Sequence, residues 1–301
     1  MSPDARQTFE VDRALDLKST LAGQRFGNSD PTVRFDALGF WRATRTPEGP
    51  ATVHVTKGEG IVTAEAWGPG AQWIVPRVRA LAGLDDAAET FDPPPGLIHD
   101  LVRRHRGLRL ARAPWPWEAL MAAILQQRVQ FQDAMRGYRG LFRIDPEPAP
   151  GPIPLMLPPK PRAIAYLSSS ALVELGIDRK RAETLRSAAL VAHRVDGLVD
   201  RDYAEVRRLL HLIPGCGPWT VEMVVSFTFG DPDSVTTGDF HLPNVASYAL
   251  AGEPRADDAR MIELLEPYKG HRFRVMRLLA EGGPTPPKYG PRLRAPGPRR
   301  F

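Results

Sequence analysis

The stretch from residue 209 to residue 244 constrains the fold of this chain more than any other. An amphipathic segment ends at Pro214, because proline lacks an N–H group and its ring clashes with the preceding helical turn. Gly215 and Gly217 follow, and glycine permits both a left-handed backbone and a close approach of other groups. A second helix is predicted to begin at Pro218, since proline is favoured at the first helical position. The pattern predicts a helix, a glycine hairpin and a second helix, whose first N–H groups are available to an anion.

Two further residues make this stretch more specific. Trp219 lies in the first turn of the second predicted helix, and Asp239 follows twenty residues later. Pro-Gly-x-Gly-x-Trp-Thr with this carboxylate resembles the helix-hairpin-helix–GPD superfamily of DNA glycosylases, and within it DNA-3-methyladenine glycosylase II, the alkylation-repair type. The resemblance implies a helical glycosylase core, a hairpin that binds a DNA phosphate, and Asp239 as the catalytic residue.

Each of these features also has an ordinary structural explanation. Pro-Gly-x-Gly fits a glycine-capped turn, and Asp239 in Thr-Gly-Asp-Phe fits a helix N-cap. The functional interpretation depends on the combination of hairpin, tryptophan, spacing and carboxylate.

The composition limits the class of protein. The formal net charge is +5 and the pI is about 9.5, which is compatible with nucleic-acid binding. Cys216 is the single cysteine, which excludes an internal disulfide and the four-cysteine iron–sulfur cluster of some superfamily members. The charged N-terminus is unlike a signal peptide, and no apolar run is long enough to span a bilayer. We expect a monomer with no membrane association, located in the cytoplasm and associated with the nucleoid if the source is bacterial.

Residues 1–91 predict a small α+β domain. Five short runs rich in β-branched and aromatic residues predict strands at residues 8–11, 32–37, 39–46, 51–57 and 60–67. The last two are predicted to form a hairpin that turns at residues 58–60, and a helix is predicted over residues 73–84 despite Pro76. An antiparallel sheet packed on a helix follows, with no catalytic constellation in it.

Helical periodicity replaces the strand pattern after the Asp-Pro-Pro-Pro-Gly boundary at residues 92–96. The chain is therefore predicted to be mainly α, with an all-helical core over residues 97–281. The helix-hairpin-helix unit occupies residues 209–229 of this core. Long helices are predicted at residues 117–142, 163–175 and 179–195.

Two segments are predicted to lie outside the helical pattern. Residues 145–161 contain eight prolines, which predicts a stiff, extended insertion at the surface. Residues 282–301 are basic and contain no acidic residue, which predicts a disordered tail that adds non-specific DNA affinity.

The resemblance assigns the hairpin two roles. The backbone amides of Gly215, Gly217 and Trp219, together with Thr220, are expected to hold a DNA phosphate. In the resembled family, carbonyls at the positions of three hairpin residues bind a monovalent cation, sodium or potassium, that bridges to this phosphate. Here those residues are His211, Ile213 and Cys216.

A second segment suggests residues that enter the DNA. Residues 124–127 resemble a helix end whose following loop fills the space left by a flipped base, so Gln127 and Arg128 are candidate wedge residues. A polar helix end is the alternative explanation for the glutamines. Arg128 stands where the alkylation-repair type often has an apolar residue, although a planar guanidinium can still stack in a gap in DNA.

Four aromatic side chains are candidates for the base pocket. An electron-rich ring attracts a cationic alkylated base, which favours Trp219 first and Trp117, Trp115 and Tyr268 after it. His271 is a further candidate, because the resembled family often carries a tryptophan at the aligned position. Core packing or a surface position is the alternative for each of these residues.

The expected chemistry is hydrolysis of an N-glycosidic bond. Its cleavage develops positive charge on the sugar, which a fixed carboxylate such as Asp239 stabilises while water attacks. Superfamily members that also cut the backbone carry a lysine at the hairpin position where this chain has Trp219, and no lysine lies between Lys180 and Lys269. We therefore predict a monofunctional glycosylase that flips alkylated purines out of damaged double-stranded DNA and requires no cofactor. The alternatives are a glycosylase for another damaged base and a non-enzymatic DNA-binding protein.

Overall fold

The computed structural model describes residues 1–287, so residues 288–301 of the predicted basic tail lie outside the described residues. Five antiparallel strands form one sheet near the N-terminus. They are β1 (Ala5–Glu10), β2 (Val33–Phe35), β3 (Gly39–Thr46), β4 (Gly49–Gly58) and β5 (Ile61–Trp67). The order across the sheet is β1-β5-β4-β3-β2, and β4 and β5 form the predicted hairpin. All five strand predictions are confirmed to within a few residues.

The sheet packs short helices on one face. These are α1 (Leu17–Leu21), α2 (Ala71–Ile74) and α3 (Val78–Leu81). Alternate residues of β4, among them Val53 and Val55, face the apolar side chains of α2 and α3, as a period of two requires. The helix predicted over residues 73–84 is wrong in detail, because a 3₁₀ turn at Val75–Arg77 separates α2 from α3. Pro76 lies in that turn, where it cannot donate a helical hydrogen bond.

Helices make up the rest of the described chain. In order they are α4 (Leu97–Arg104), α5 (Pro116–Gln126), α6 (Phe131–Leu141), α7 (Pro161–Ala165), α8 (Ser169–Glu174), α9 (Arg179–Leu190), α10 (Ala192–Asp196), α11 (Tyr203–His211), α12 (Pro218–Val224), α13 (Leu242–Ala251), α14 (Asp258–Leu265) and α15 (Arg272–Gly282). A π-helical turn, Val225–Phe229, continues α12. A small sheet followed by a helical core is the fold class that the sequence predicts. No helix in the described part of the chain is long and apolar enough to cross a membrane.

Three predicted helices are each divided in two. The helix predicted over residues 117–142 breaks between α5 and α6, where Gln127 is extended and Arg128 has a left-handed φ of 52°. The helix predicted over residues 163–175 divides at residues 166–168, where Ser168 caps α8. The helix predicted over residues 179–195 divides at Val191. Apolar periodicity continues through such breaks, so it does not reveal them.

The proline-rich segment 145–161 is less exposed than predicted. Leu155 and Leu157 are buried against Trp41 and Trp67 on the face of the sheet opposite α2 and α3. Its backbone also bonds to the N-terminal region, since the Met156 N–H donates to the Pro31 carbonyl at 2.9 Å. The segment therefore covers an apolar sheet face that would otherwise be exposed to water.

Candidate active site and nucleic-acid interface

The hairpin joins α11 to α12 in the predicted way. Gly215 has a φ of 86°, and a Cβ atom there would lie 2.0 Å from Thr184 Oγ1, so only glycine fits. Gly217 is the N-cap of α12 and Pro218 its first residue. No side chain caps this helix, so the orphan N–H groups of its first turn remain available to an anion.

The carboxylate of Asp239 is held beside this helix by three donors. Its Oδ2 accepts from Trp219 Nε1 at 3.0 Å, and its Oδ1 accepts from the His241 and Leu242 N–H groups at 2.7 Å and 3.0 Å. The contacts to residues 241 and 242 satisfy N–H groups at the start of α13, although His241 rather than Asp239 is the N-cap of that helix. The same bonds fix the carboxylate in one orientation next to the hairpin, and Asp239 is only half-buried.

The turn between α5 and α6 is bonded to the hairpin through Gln127. Its Nε2 donates to the Gly215 carbonyl at 3.0 Å and to Thr220 Oγ1 at 2.8 Å. This amide is therefore engaged within the protein, which argues against Gln127 as an inserted residue. Arg128 is exposed and is the one residue other than glycine with a positive φ among the described residues. Strain of this kind concentrates at functional sites, and here it extends a cationic side chain into solvent beside the hairpin.

A cavity of about 250 Å³ lies behind the hairpin, between the N-terminal region and α5, α6 and α12. Five aromatic side chains line it: Phe26, Trp115, Phe131, Tyr138 and Phe227. Two lining residues locate it relative to the hairpin. Met223 is one helical turn beyond Trp219 on α12, and Gln126 precedes Gln127 at the end of α5. These two residues place the cavity against α12 and the end of α5, although neither Trp219 nor Asp239 lines it.

The wall of the cavity contains a buried ion pair. Arg42 on β3 and Glu118 on α5 are bonded to each other, and the Glu118 carboxylate also accepts from Thr44 Oγ1 at 2.6 Å. Arg42 additionally donates to the Gln24 carbonyl at 3.1 Å and lies over the Trp115 ring at 4.8 Å. This network joins the sheet to the helical core at the cavity, where all of its charged members are less than a tenth exposed.

Only some of the predicted pocket residues lie near this site. Trp117 is 3% exposed and belongs to the helical core, because α5 turns it away from the cavity. Tyr268 and His271 pack around Phe91, with His271 at 4.6 Å between ring centroids, and neither lines the cavity. Trp115 does line it, and Trp219 contacts Asp239.

Several titratable groups are shifted by their surroundings. Burial raises the pKa of Cys216 to about 12, which makes its thiol a poor nucleophile near neutral pH. Burial also raises the pKa of Tyr138 in the cavity wall, so its hydroxyl stays protonated. The pKa of His271 is lowered by burial and by Arg274, which keeps its ring neutral at neutral pH. Among these groups, only Tyr138 lines the cavity.

The described residues contain no group of three or more His, Cys, Asp or Glu side chains that could hold a metal ion. The predicted cation site consists of backbone carbonyls at His211, Ile213 and Cys216, at the tip of the hairpin. The Ile213 carbonyl accepts from the Cys216 N–H at 3.0 Å, and its second lone pair remains available.

Most of the cavity wall was missed by sequence reasoning. Arg42, Glu118, Phe131 and Phe227 come from strands, helices and loops far apart in the sequence. Their periodicity matches ordinary core packing, so no local signal distinguishes them.

No protein-family model matches the chain, and no curated protein matches it in sequence. Solved structures do share its fold. A 3-methyladenine DNA-glycosylase from Archaeoglobus fulgidus has a TM-score of 0.74 at 18% identity, covering 91% of this chain and 97% of that one. MBOgg1 in complex with a low affinity DNA ligand has a TM-score of 0.70 at 13% identity, covering 93% and 95%. A Clostridium acetobutylicum 8-oxoguanine glycosylase/lyase in complex with DNA has a TM-score of 0.64 at 13% identity, covering 93% and 97%. The predicted fold is confirmed over nearly the whole chain.

Proposed function

We propose that this protein is a monofunctional DNA glycosylase that hydrolyses the N-glycosidic bond of alkylated purines in double-stranded DNA. The observation that carries the proposal is the Asp239 carboxylate. It is fixed by Trp219 and two backbone N–H groups beside an uncapped hairpin helix, and Met223 of the same helix lines an aromatic cavity of about 250 Å³.

The chemistry assigned to Asp239 needs only this one carboxylate. As the bond between C1′ and the base breaks, its electron pair leaves with the base and positive charge develops on the sugar. A fixed anion stabilises that charge. The Asp239 carboxylate also orients the water that adds to C1′ and accepts the proton that this water loses. An alkylated purine departs readily because it is cationic, so no additional acid is required.

DNA binding is assigned to the hairpin and to the neighbouring turn. The amides of Gly217 and Trp219 hold a phosphate at the start of α12. Arg128 enters the gap left by the flipped nucleotide, and Gln127 holds this turn against the hairpin. The flipped base enters the aromatic cavity, where the half-exposed Phe131 offers a ring face to a cation, whereas the Arg42 guanidinium already lies over the Trp115 ring. A sodium or potassium ion at the carbonyls of the hairpin tip is part of the proposal.

The absence of lyase activity rests on Trp219. This side chain stands at the hairpin position of the lyase lysine, and an indole cannot form a Schiff base. The thiol of the hairpin, Cys216, is buried and its pKa is raised, which makes it a poor nucleophile. Hydrolysis by water is the pathway that remains.

The decisive experiment measures bases released from methylated duplex DNA by the wild type and by Asp239→Asn. We expect 3-methyladenine release by the wild type, and a rate lower on the order of a thousandfold in the variant with DNA binding retained. A second duplex, which contains 8-oxoguanine, is used in the same assay and tests the activity named for the Clostridium acetobutylicum structure. Release from that duplex alone would reassign the lesion, and equal rates for the two proteins would remove Asp239 from the mechanism.

A further inference from the structure

A π-helical turn interrupts the regular geometry of the helix that forms one side of the cavity. This turn, Val225–Phe229, follows α12 directly, and Phe227 at its centre lines the cavity and is half-buried. Gln24 Nε2 donates to the Phe227 carbonyl at 2.6 Å, which ties the turn to the N-terminal region. Such turns are rare and occur frequently at functional sites.

The ring of Phe227 separates the cavity from a second void. That void measures about 10 Å³ and is lined by Phe227 together with Phe273 and Arg277. The rings of Phe227 and Phe273 meet edge to face at 5.1 Å, and the Arg277 guanidinium lies 5.9 Å from the Phe227 ring. The phenyl group is therefore a wall between the two spaces.

Gly23 supports this wall from the N-terminal side. A Cβ atom at Gly23 would lie 2.8 Å from Phe227 Cδ1, closer than two carbon atoms approach without displacement. The φ of Gly23 is outside the left-handed region, so the glycine is needed for space rather than for its backbone conformation. Because Gly23 also lines the cavity, a larger residue there displaces the ring and adds its own volume to the cavity wall.

We propose that Phe227 determines the size of the base that the cavity accepts. The inference rests on the proposed function, since it takes the cavity as the place of the flipped base. With the ring in place, the cavity holds a bicyclic purine that carries small substituents. A purine with a third fused ring, such as ethenoadenine, is excluded because its extra ring would occupy the position of the phenyl group.

Two substitutions should change the cavity in opposite directions. Phe227→Ala removes the wall and joins the cavity to the void beside Phe273 and Arg277. Gly23→Ala adds a methyl group to the cavity wall and displaces the ring, which makes the cavity smaller. Phe227→Leu is the conservative control, because it keeps an apolar side chain of intermediate size.

The test compares single-turnover release of ethenoadenine with release of methylated purines for the wild type and these three variants. We expect Phe227→Ala to raise the ratio of ethenoadenine to methylated-purine release by about tenfold, with Phe227→Leu between it and the wild type. Gly23→Ala should slow methylated-purine release without raising ethenoadenine release. A ratio in Phe227→Ala that stays within about twofold of wild type, in protein whose melting curve shows it to be folded, would overturn the proposal.

A binding measurement separates this inference from the proposed function. If the wild type releases no base at all, the proposed function fails, and the size assignment is then tested without catalysis. Free ethenoadenine is fluorescent, so its binding to the full-length wild type and to Phe227→Ala can be titrated directly. Tighter binding by the variant, by about tenfold, supports the assignment, and equal binding contradicts it.

Discussion

The hairpin and the cavity lie side by side but are built in different ways. The hairpin with its carboxylate comes from one continuous stretch, and Trp219 reaches Asp239 through a single hydrogen bond of 3.0 Å. The cavity comes from four separate parts of the chain and is held by a buried ion pair between Arg42 and Glu118. The hairpin faces solvent with unpaired donors, whereas the buried polar groups of the cavity wall are largely paired.

This difference assigns the two regions separate tasks. A surface with available N–H groups and an exposed arginine suits the DNA backbone, which every substrate shares. An aromatic cavity that is partly open to solvent suits the base, which differs between substrates. Substitutions at the hairpin should therefore affect binding and rate on all substrates, and substitutions in the cavity should affect stability and substrate choice.

The largest effect is expected at Glu118. Replacing it with alanine leaves the buried Arg42 guanidinium without its principal partner, which should cost about 3–5 kcal/mol of unfolding free energy. Urea denaturation measures the loss. The double variant Arg42→Met with Glu118→Leu removes both charges and should recover most of it. A loss below about 1 kcal/mol for Glu118→Ala would mean that the pair does not hold the cavity together.

The two hairpin glycines form a matched pair. Gly215→Ala introduces a Cβ atom against Thr184 at a left-handed φ, and should cost about 1–3 kcal/mol of stability. Gly217→Ala meets no atom within 4 Å and has a φ of −81°, so its stability should be unchanged. Both should weaken DNA binding in a fluorescence anisotropy titration, because a methyl group at residue 217 obstructs the proposed phosphate site and the clash at residue 215 displaces the turn that carries the Gly217 amide. Unchanged binding by Gly217→Ala would place the phosphate elsewhere.

A smaller effect is expected at Trp219. Phenylalanine keeps the ring but removes the Nε1–H that holds the Asp239 carboxylate, so the rate of base release should fall by about tenfold. DNA binding should stay the same. Single-turnover kinetics measure the rate of base release, and a separate titration measures DNA binding. An equal loss of binding and rate would indicate that Trp219 acts through the DNA rather than through the carboxylate.

The smallest effect concerns the pH dependence of folding stability, through a contact at the start of α5. Asp196 accepts from the Trp117 N–H at the start of α5, and burial raises its pKa from 3.8 to about 7. The folded state thus binds a proton that the unfolded state has released. Stability should therefore fall as the pH rises from about 4 to about 7 and then level off. A shift of this size corresponds to about 4 kcal/mol in full, and because Asp196 is partly accessible to water we expect solvent screening to reduce the loss to about 1 kcal/mol. Thermal melts of Asp196→Asn, which retains the hydrogen-bond acceptor, should not show this fall in stability with pH. An identical fall in the variant would assign the pH dependence to another group.

The same contrast explains what could be predicted from sequence. The hairpin, Trp219 and Asp239 are close in the chain, so their spacing and turn chemistry indicated the local structure, and the resemblance to a known family suggested the chemistry. The strands were predictable because alternation and turn residues mark them locally. The cavity depends on contacts between residues as distant as Arg42 and Glu118, which no local pattern encodes.

Two other features have the same physical origin. Trp117 was a pocket candidate for its aromatic ring, but the rotation of α5 that buries it depends on what the helix packs against. The helix end at Gln127 was indicated by the resemblance, whereas the residue pattern alone continued the helix. It is tertiary bonding to Gly215 and Thr220 that holds the turn.

The most direct test is a crystal structure of Asp239→Asn bound to a duplex that carries a stable analogue of 3-methyladenine. We predict a phosphate at the amides of Gly217 and Trp219, C1′ of the flipped nucleotide beside residue 239, and the base in the cavity against Trp115 and Phe227. A base that remains stacked in the duplex, or that lies outside this cavity, would contradict it.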